Sequence, residues 1–455
     1  MGDGSPHSSS MNRTGVLAAE RAVPRYTSYP TAPHFTDAVT AETYAAWLAA
    51  LPADASLSLY LHVPFCTELC HYCGCHTKAT RRPEPVAAYA ERLGNEIELL
   101  AAALPGRRIT HLHWGGGTPS ILGAARLRNL AALLRDRFGL GDVREHAIEL
   151  DPRHVTQELV DALAAIGVNR ASLGVQDLSY HVQRTIGRVQ PFEVVARSAR
   201  MLRDVGIEKI NCDLMYGLPR QSATDVECTA RSVAALRPQR IAVFGYAHVP
   251  WLKKHQRLIQ EAELPDADER LAQAEIARQI LVSLGYEPIG LDHFALPGDE
   301  LAAAAKAGRL RRNFQGYTAD DADALLGLGA SAIGRLPQGY VQNAPDNATY
   351  ARAVQSGRFA TVKGIQLSED DRTRGAIIER LMCDLAVDLA AAKCNAPASF
   401  AAELDDLMPI EAEGFVRIDG TRIRVTEKGR PFVRLVASAF DRHLREGHGR
   451  HARAV

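Results

Sequence analysis

The chain has 455 residues, more than one hydrophobic core usually serves, so a large domain and a smaller one are expected. Hydrophobic residues make up 46 % and charged residues 23 %, which excludes an intrinsically disordered chain. The 53 Lys and Arg balance 53 Asp and Glu, so no strong field favours nucleic acid or an anionic membrane, and neither is expected as a partner.

The chain starts with a polar, Gly- and Ser-rich stretch that matches neither a secretory signal nor a myristoylation site, because Pro6 stands where Ser or Thr is needed. No run approaches the ~20 apolar residues of a spanning helix, so a cytoplasmic location is expected. Residues 1–22 read as a disordered lead-in. Pro24-Arg25-Tyr26-Thr27-Ser28-Tyr29-Pro30-Thr31 is aromatic and proline-bounded. Bulky aromatics usually bury, so residues 23–56, with a helix over 41–50, are expected to fold over the mouth of the domain that follows.

From Leu57 short apolar runs alternate with amphipathic stretches. Strands are predicted at Leu57–Val63, Ile109–Trp114, His146–Leu150, Arg170–Val175, Lys209–Met215 and Arg240–Tyr246. Helices fall between them, over roughly 86–103, 124–137, 156–166, 192–205 and 223–236. This alternation predicts an α/β fold with a parallel sheet, extending over residues 57–365. A helix at Asp268–Leu284 and a strand at Pro288–Leu291 follow. The run Arg309, Arg311, Arg312 reads as a solvated basic face. Beyond residue 365, helices are predicted at Asp371–Cys383 and Phe400–Leu407. A hairpin at Phe415–Val425 turns on Asp419-Gly420, and a last helix runs from Pro431 to Arg445. Residues 366–455 therefore read as a smaller, mostly helical, winged-helix-like domain, with no DNA binding expected from the charge balance.

Of eight cysteines, four crowd into Cys66-Thr-Glu-Leu-Cys70-His-Tyr72-Cys73-Gly74-Cys75. Cys212, Cys228, Cys383 and Cys394 are scattered and read as small buried residues. Thiolates spaced by four and three residues suit three irons of a [4Fe-4S] cubane. The fourth iron is then free for the amine and carboxylate of S-adenosylmethionine, whose sulfonium the cluster can reduce to give a 5′-deoxyadenosyl radical. Two alternatives stay open: a zinc site, and an electron-transfer cluster ligated fully by protein through Cys75. Zinc usually takes two Cys-x-x-Cys knuckles, and Cys75 lies too near Cys73 to make a good fourth corner.

Chemistry in parallel α/β folds gathers at the C-terminal ends of strands. Those ends carry the cysteine loop, His113-Trp-Gly-Gly-Gly-Thr-Pro119, Glu149-Leu-Asp-Pro152, Gly174-Val-Gln-Asp177, Asp213 with Tyr216-Gly-Leu-Pro219, and Tyr246-Ala-His248. The glycines would let backbone approach a ligand closely. Arg188, between the fourth strand and the next helix, is a candidate partner for a carboxylate.

These segments, with Arg25-Tyr-Thr-Ser-Tyr-Pro-Thr31, Asp292-His-Phe294 and Asn313-Phe-Gln-Gly-Tyr-Thr318, resemble the oxygen-independent coproporphyrinogen III oxidases (dehydrogenases) of the radical S-adenosylmethionine superfamily. The resemblance runs from about Arg25 to about residue 445. It implies a partial (β/α)6 barrel with a mostly helical C-terminal domain. It implies metal ligands Cys66, Cys70 and Cys73, a [4Fe-4S] cluster and two molecules of S-adenosylmethionine. Tyr60, Gly116, Glu149 and Ile333 correspond to the site of the cluster-bound molecule. Tyr72, Gly117, Thr118, Gln176, Arg188, Asp213 and Ala247 correspond to the site of the second.

The resemblance also implies conversion of two propionates of coproporphyrinogen III to vinyl groups in porphyrin (haem) biosynthesis. The protein would be a monomer, with an electron donor such as flavodoxin or ferredoxin. Gly187 stands where relatives often have asparagine, and Tyr72 where they have phenylalanine, which bears on fine positioning. The alternative is a haem chaperone of the same superfamily. Arg25–Thr31 and the Cys-Gly-Cys ending favour the enzyme.

Overall fold

The computed structural model describes residues 21–392 and 400–445. The expectations for residues 1–20, for Cys394 and for 446–455 lie outside the described residues.

Six parallel strands form the centre: β1 (Leu57–Val63), β2 (Ile109–Gly116), β3 (Glu145–Leu150), β4 (Arg170–Gln176), β5 (Lys209–Tyr216) and β6 (Arg240–Gly245). Helices Pro83–Ala103, Ala124–Phe138, Gln157–Ala165, Phe192–Asp204 and Ala223–Ala235 connect them. Observed ends differ from the sequence reading by three residues at most. In β1, Leu57, Leu59, Leu61 and Val63 are fully buried in the main core. The strand period of two sends Ser58, Tyr60 and His62 to the opposite face, into the barrel.

The sheet is wider than predicted. On one side β6 continues antiparallel into β8 (His293–Ala295) and β7 (Glu287–Ile289). A separate hairpin, β9 (Arg311–Asn313) with β10 (Gly316–Thr318), follows in the chain. On the other side β11 (Ala324–Leu328) pairs parallel with β1, and β12 (Ile333–Leu336), β13 (Gly339–Asn343) and β14 (Thr361–Gln366) continue antiparallel. The order β14-β13-β12-β11-β1-β2-β3-β4-β5-β6-β8-β7 leaves two unjoined ends, so the barrel is partial and open. The flanking strands are three to six residues long, and of them only Glu287–Ile289 was anticipated, as the strand at Pro288–Leu291.

The smaller C-terminal unit packs helices Glu369–Asp384 and Ala401–Ala412 against a three-stranded sheet. The expected hairpin is present as β16 (Val416–Asp419) and β17 (Arg422–Val425), and β15 (Ala386–Asp388) adds to it. The single last helix is corrected to three pieces, Arg430–Phe432, Val433–Ser438 and Arg442–Arg445. Asp441 interrupts it and caps the final turn through its bond from the Leu444 N–H (3.0 Å). Cys228 is also corrected: it is exposed, lying off the Val226, Ala230, Val233 stripe of its helix. Cys212 and Cys383 are buried as expected.

The N-terminal segment joins the two units. Tyr26 and Tyr29 are buried with Ile377, Leu381 and Phe440 of the C-terminal unit. The Tyr26 hydroxyl donates to Asp441 (3.1 Å), and the Arg442 N–H donates to the Tyr29 hydroxyl (3.3 Å). Arg25 between them donates to the Gly245 carbonyl at the end of β6 (2.9 Å). Among the described residues, no helix is long and apolar enough to cross a membrane.

Candidate active site

The lower end of the barrel is closed by charge. Arg170 reaches Glu145 (2.7 Å) and Asp299 (3.3 Å), while Arg240 reaches Asp299 (2.7 Å) and Glu145 (3.5 Å). Burial alone would raise the Glu145 carboxyl, but Arg240 and Arg170 outweigh it and bring it down to about 2. Such a network satisfies charges that burial would otherwise penalise, and it leaves the C-terminal ends of the strands as the open mouth.

The cysteine loop follows β1 at that mouth. Phe65–Cys66 pairs with Lys78–Ala79, which closes the loop at its base. Its far side hangs on a short segment the sequence reading did not single out. The Lys253 ammonium donates to the Cys75 carbonyl (2.8 Å), and His255 Nε2 donates to the Cys73 carbonyl (2.7 Å). The fully buried Gln256 side chain donates to the carbonyls of Tyr72 (2.9 Å) and Ala247 (3.2 Å).

Donors also point at sulfur. The Thr118 hydroxyl donates to Cys66 Sγ (3.3 Å), Thr77 lies 3.3 Å from the same sulfur, and Arg188 donates to Cys70 Sγ at 3.7 Å. Hydroxyl and guanidinium donors around sulfur suit thiolates. Among the described residues, no three His, Cys, Asp or Glu side chains come together around one ion position.

The glycines at the end of β2 are closely packed. A Cβ at Gly115 would strike Tyr60 and Glu149 (2.8 Å each). One at Gly116 would strike the His62 ring (2.7 Å), and one at Gly117 would strike Thr77 and the Phe65 carbonyl. Their smallness lets protein approach the strand end closely. The amides are also engaged: Gly116 donates to Glu149 (3.1 Å), Gly117 to Val63 (2.8 Å) and Thr118 to Phe65 (2.8 Å).

Most residues singled out from sequence fall into two groups, while Gly117 and Thr118 lie against Phe65, Thr77 and Cys66 of the cysteine loop. Tyr60 sits opposite His113 in the β1–β2 register, and His113 Nε2 lies 3.2 Å from Glu149. On its other side Tyr60 pairs with Gly327, where a Cβ would meet the Ile333 backbone. This first group holds Tyr60, Gly116, Glu149 and Ile333.

In the second group, Gly174 pairs with Asp213, and a bulge separates Gly174 from Gln176. Gln176 takes a left-handed backbone (φ 68°), uncommon for a residue with a side chain. Gln176 Nε2 and Arg188 Nη2 fill the space above Gly174. Asp213 accepts from Ser172 (2.7 Å) and Asn211 (2.8 Å), and burial raises its pKa. Arg188 donates to Asp151 (3.0 Å) and to the Gly174 carbonyl (2.7 Å), while its buried Nε has no hydrogen-bond partner among the described residues. Burial would raise the Asp151 carboxyl, but Arg153 and Arg188 hold it at about 2. Tyr72 and Ala247 join this side through Gln256.

Sequence reasoning also missed Arg312. Of the basic run, Arg309 is exposed and Arg311 pairs with Glu379 (2.9 Å) at the surface. The Arg312 side chain is 5 % exposed. Strand alternation through Arg311–Asn313 was the available signal.

The radical SAM superfamily model matches residues 60–233, and the HemN C-terminal domain model matches residues 367–432. The oxygen-independent coproporphyrinogen III oxidase of Bradyrhizobium diazoefficiens is 50 % identical over 445 residues, covering 97 % of this chain and 99 % of the relative. The Escherichia coli enzyme of that name is 39 % identical, covering 93 % of each chain. A solved structure of the coproporphyrinogen III oxidase HemN from Escherichia coli, described as a radical SAM enzyme, superposes with a TM-score of 0.87 at 38 % identity. It covers 93 % of this chain and 100 % of that one. With the cysteine loop at the mouth of a partial barrel and similarity over nearly its whole length, the chain belongs to the oxygen-independent coproporphyrinogen III oxidase family of the radical SAM superfamily.

Proposed function

We propose that the chain catalyses the anaerobic oxidative decarboxylation of two propionates of coproporphyrinogen III, giving protoporphyrinogen IX in haem biosynthesis. Near full-length identity of up to 50 % with enzymes of that name carries this reading. The donors around the cysteine sulfurs support it.

Cys66, Cys70 and Cys73 are the residues that would hold a [4Fe-4S] cluster, with Cys75 left as a non-ligand. When bound, the cluster and S-adenosylmethionine supply a 5′-deoxyadenosyl radical able to take hydrogen from the propionate carbon next to the pyrrole. The carbon radical left on each propionate would then release carbon dioxide and pass one electron to an external one-electron acceptor, leaving a vinyl group. The Thr118 hydroxyl and the Arg188 guanidinium present hydrogen-bonding edges to the Cys66 and Cys70 sulfurs. The two groups of residues, with Gly117 and Thr118, support two S-adenosylmethionine molecules. Tyr60, Gly116, Glu149 and Ile333 would take one, and Tyr72, Gly117, Thr118, Gln176, Arg188, Asp213 and Ala247 the other. The unpartnered Nε of Arg188 is a ready donor for a carboxylate there.

The electron donor is proposed to be a flavodoxin or ferredoxin, and the protein a cytoplasmic monomer. Anaerobic reconstitution with iron and sulfide, followed by a product assay on coproporphyrinogen III, tests the reading. Stable haem binding without turnover would instead make the chain a chaperone.

A further inference from the structure

Two of the segments that carry the family resemblance, Asp292-His-Phe294 and Asn313-Phe-Gln-Gly-Tyr-Thr318, supply no member of the two groups at the cysteine loop. They meet at a cluster of arginines on the β6 side of the mouth. The Arg312 Nε lies 3.4 Å from the Arg25 carbonyl, and the Arg312 guanidinium stacks 4.4 Å from the centre of the Tyr317 ring. Its buried Nη1 has no hydrogen-bond partner among the described residues. The nearest acid, Asp292 Oδ1, is 3.7 Å away and already shared with His293 Nδ1 at 2.7 Å.

Arg25 comes from the N-terminal segment and reaches the end of β6. Arg434, from the C-terminal unit, fixes that segment by donating to the carbonyls of Val23 and Pro24. Three guanidiniums thus converge with Asp292 as the carboxylate that bears on Arg25 and Arg312. Burial, with Arg312 nearby, lowers Arg25, and burial together with Arg25 and Arg312 pushes Arg434 down to about 9. Like charges held together away from bulk water repel strongly, and an anion relieves the strain. The Arg25 contact lies two residues before Ala247, whose carbonyl Gln256 ties to the Tyr72 carbonyl of the cysteine loop, so the cluster lies on the cysteine-loop side of the mouth. Arg25 is nevertheless solvent-accessible, so a ligand can reach it.

We propose that Arg25 and Arg312 together bind a propionate carboxylate of the tetrapyrrole, with the Asp292–His293 pair fixing the Arg312 guanidinium. The assignment rests on the functional reading above and adds the substrate's anchor to it. It also gives the N-terminal segment a task besides packing. Tyr26 and Tyr29 bury in the C-terminal unit, and the arginine beside them is thereby held over the mouth.

The test uses reconstituted enzyme and two readouts: the Kd of coproporphyrin III by fluorescence, and KM and kcat for coproporphyrinogen III. Arg312→Met and Arg25→Met should each weaken porphyrin binding and raise KM by about 10- to 100-fold, the worth of a charge-assisted hydrogen bond. Their iron content and S-adenosylmethionine cleavage should match wild type. Arg311→Met, at the surface, should bind normally. Since Arg312 packs on Tyr317, its variant is checked by thermal unfolding. If it fails to fold, Arg25→Met and Arg312→Lys decide the matter, the lysine restoring part of the affinity. Porphyrin affinity within twofold of wild type in folded Arg25→Met or Arg312→Met overturns the anchor while leaving the enzyme reading intact. A wild-type protein that does not turn over coproporphyrinogen III overturns both.

Discussion

Replacing Arg188 with methionine separates a structural arginine from one that holds a cofactor. The side chain donates Nη1 to Asp151 at 3.0 Å, and Nη2 to the Gly174 carbonyl at 2.7 Å and to Gln190 at 3.2 Å. Neither of the first two acceptors would be orphaned. Asp151 keeps Arg153 at 2.7 Å, and Gly174 keeps the Gln190 amide at 3.3 Å. The stability loss should therefore be near the low end for charged hydrogen bonds, about 2 kcal/mol. Stripping a buried ion pair of its only partner would cost about 3–5 kcal/mol. In a chain this long about 2 kcal/mol shifts Tm by only a few degrees. Cys70 loses just a 3.7 Å contact, so the cluster should be retained. If Nε also meets a cofactor carboxylate, turnover should fall by about 10- to 100-fold. Iron content, visible absorption, S-adenosylmethionine cleavage and product formation on the same preparation distinguish the cases. Wild-type turnover with an intact cluster would refute the cofactor role. Loss of the cluster would show that Arg188 acts through Cys70 instead.

Serine at Cys66, Cys70 or Cys73 should abolish the cluster and all S-adenosylmethionine cleavage, whereas Cys75→Ser should keep the brown absorption. Equal loss in Cys75→Ser would sink the three-thiolate reading. Deleting residues 1–31 should stop substrate turnover and also lower Tm, because Tyr26 and Tyr29 leave the C-terminal core. A deletion variant with full turnover would remove any role of the segment at the mouth. His146 Nε2 accepts from the Trp114 indole N–H (2.8 Å), which fixes the neutral ring, and burial pushes its pKa down to about 4. The unfolded chain takes up a proton near pH 6.5 and the native chain does not, so stability is complete above that pH and falls as pH drops toward 4. At pH 5 the loss should be roughly 2 kcal/mol by urea titration. His146→Gln should escape it, and a variant with the wild-type pH dependence would refute the assignment.

What the sequence determined by itself was local. Cys66, Cys70 and Cys73 lie within one loop, so the spacing from which the three-thiolate set is proposed was legible directly. The six central strands alternate with helices at regular intervals, and their apolar runs carry the signal directly. The hairpin at Asp419-Gly420 was legible because its turn chemistry sits in two adjacent residues.

Tertiary structure decided what depends on distant partners. The strands at both ends of the sheet exist because a neighbour already offers a ladder, as Leu57–Leu61 of β1 does for Ala324–Leu328. The glycines of the second strand end look like a ligand cradle in sequence. Only the tertiary structure shows how closely His62, Thr77, Tyr60 and Glu149 pack on them. Tyr26 and Tyr29 were expected to bury, but their partner is the C-terminal unit: Asp441 is 415 residues from Tyr26. Arg312 looked like one surface charge in a basic run. Its turn inward to Arg25, 287 residues away, comes from strand alternation and the docking of the N-terminal segment. Short-range pattern reveals which elements form and which ligands are neighbours in the chain. Which faces meet, and so which charges gather in the cavity, is set by long-range packing that no window of the sequence contains.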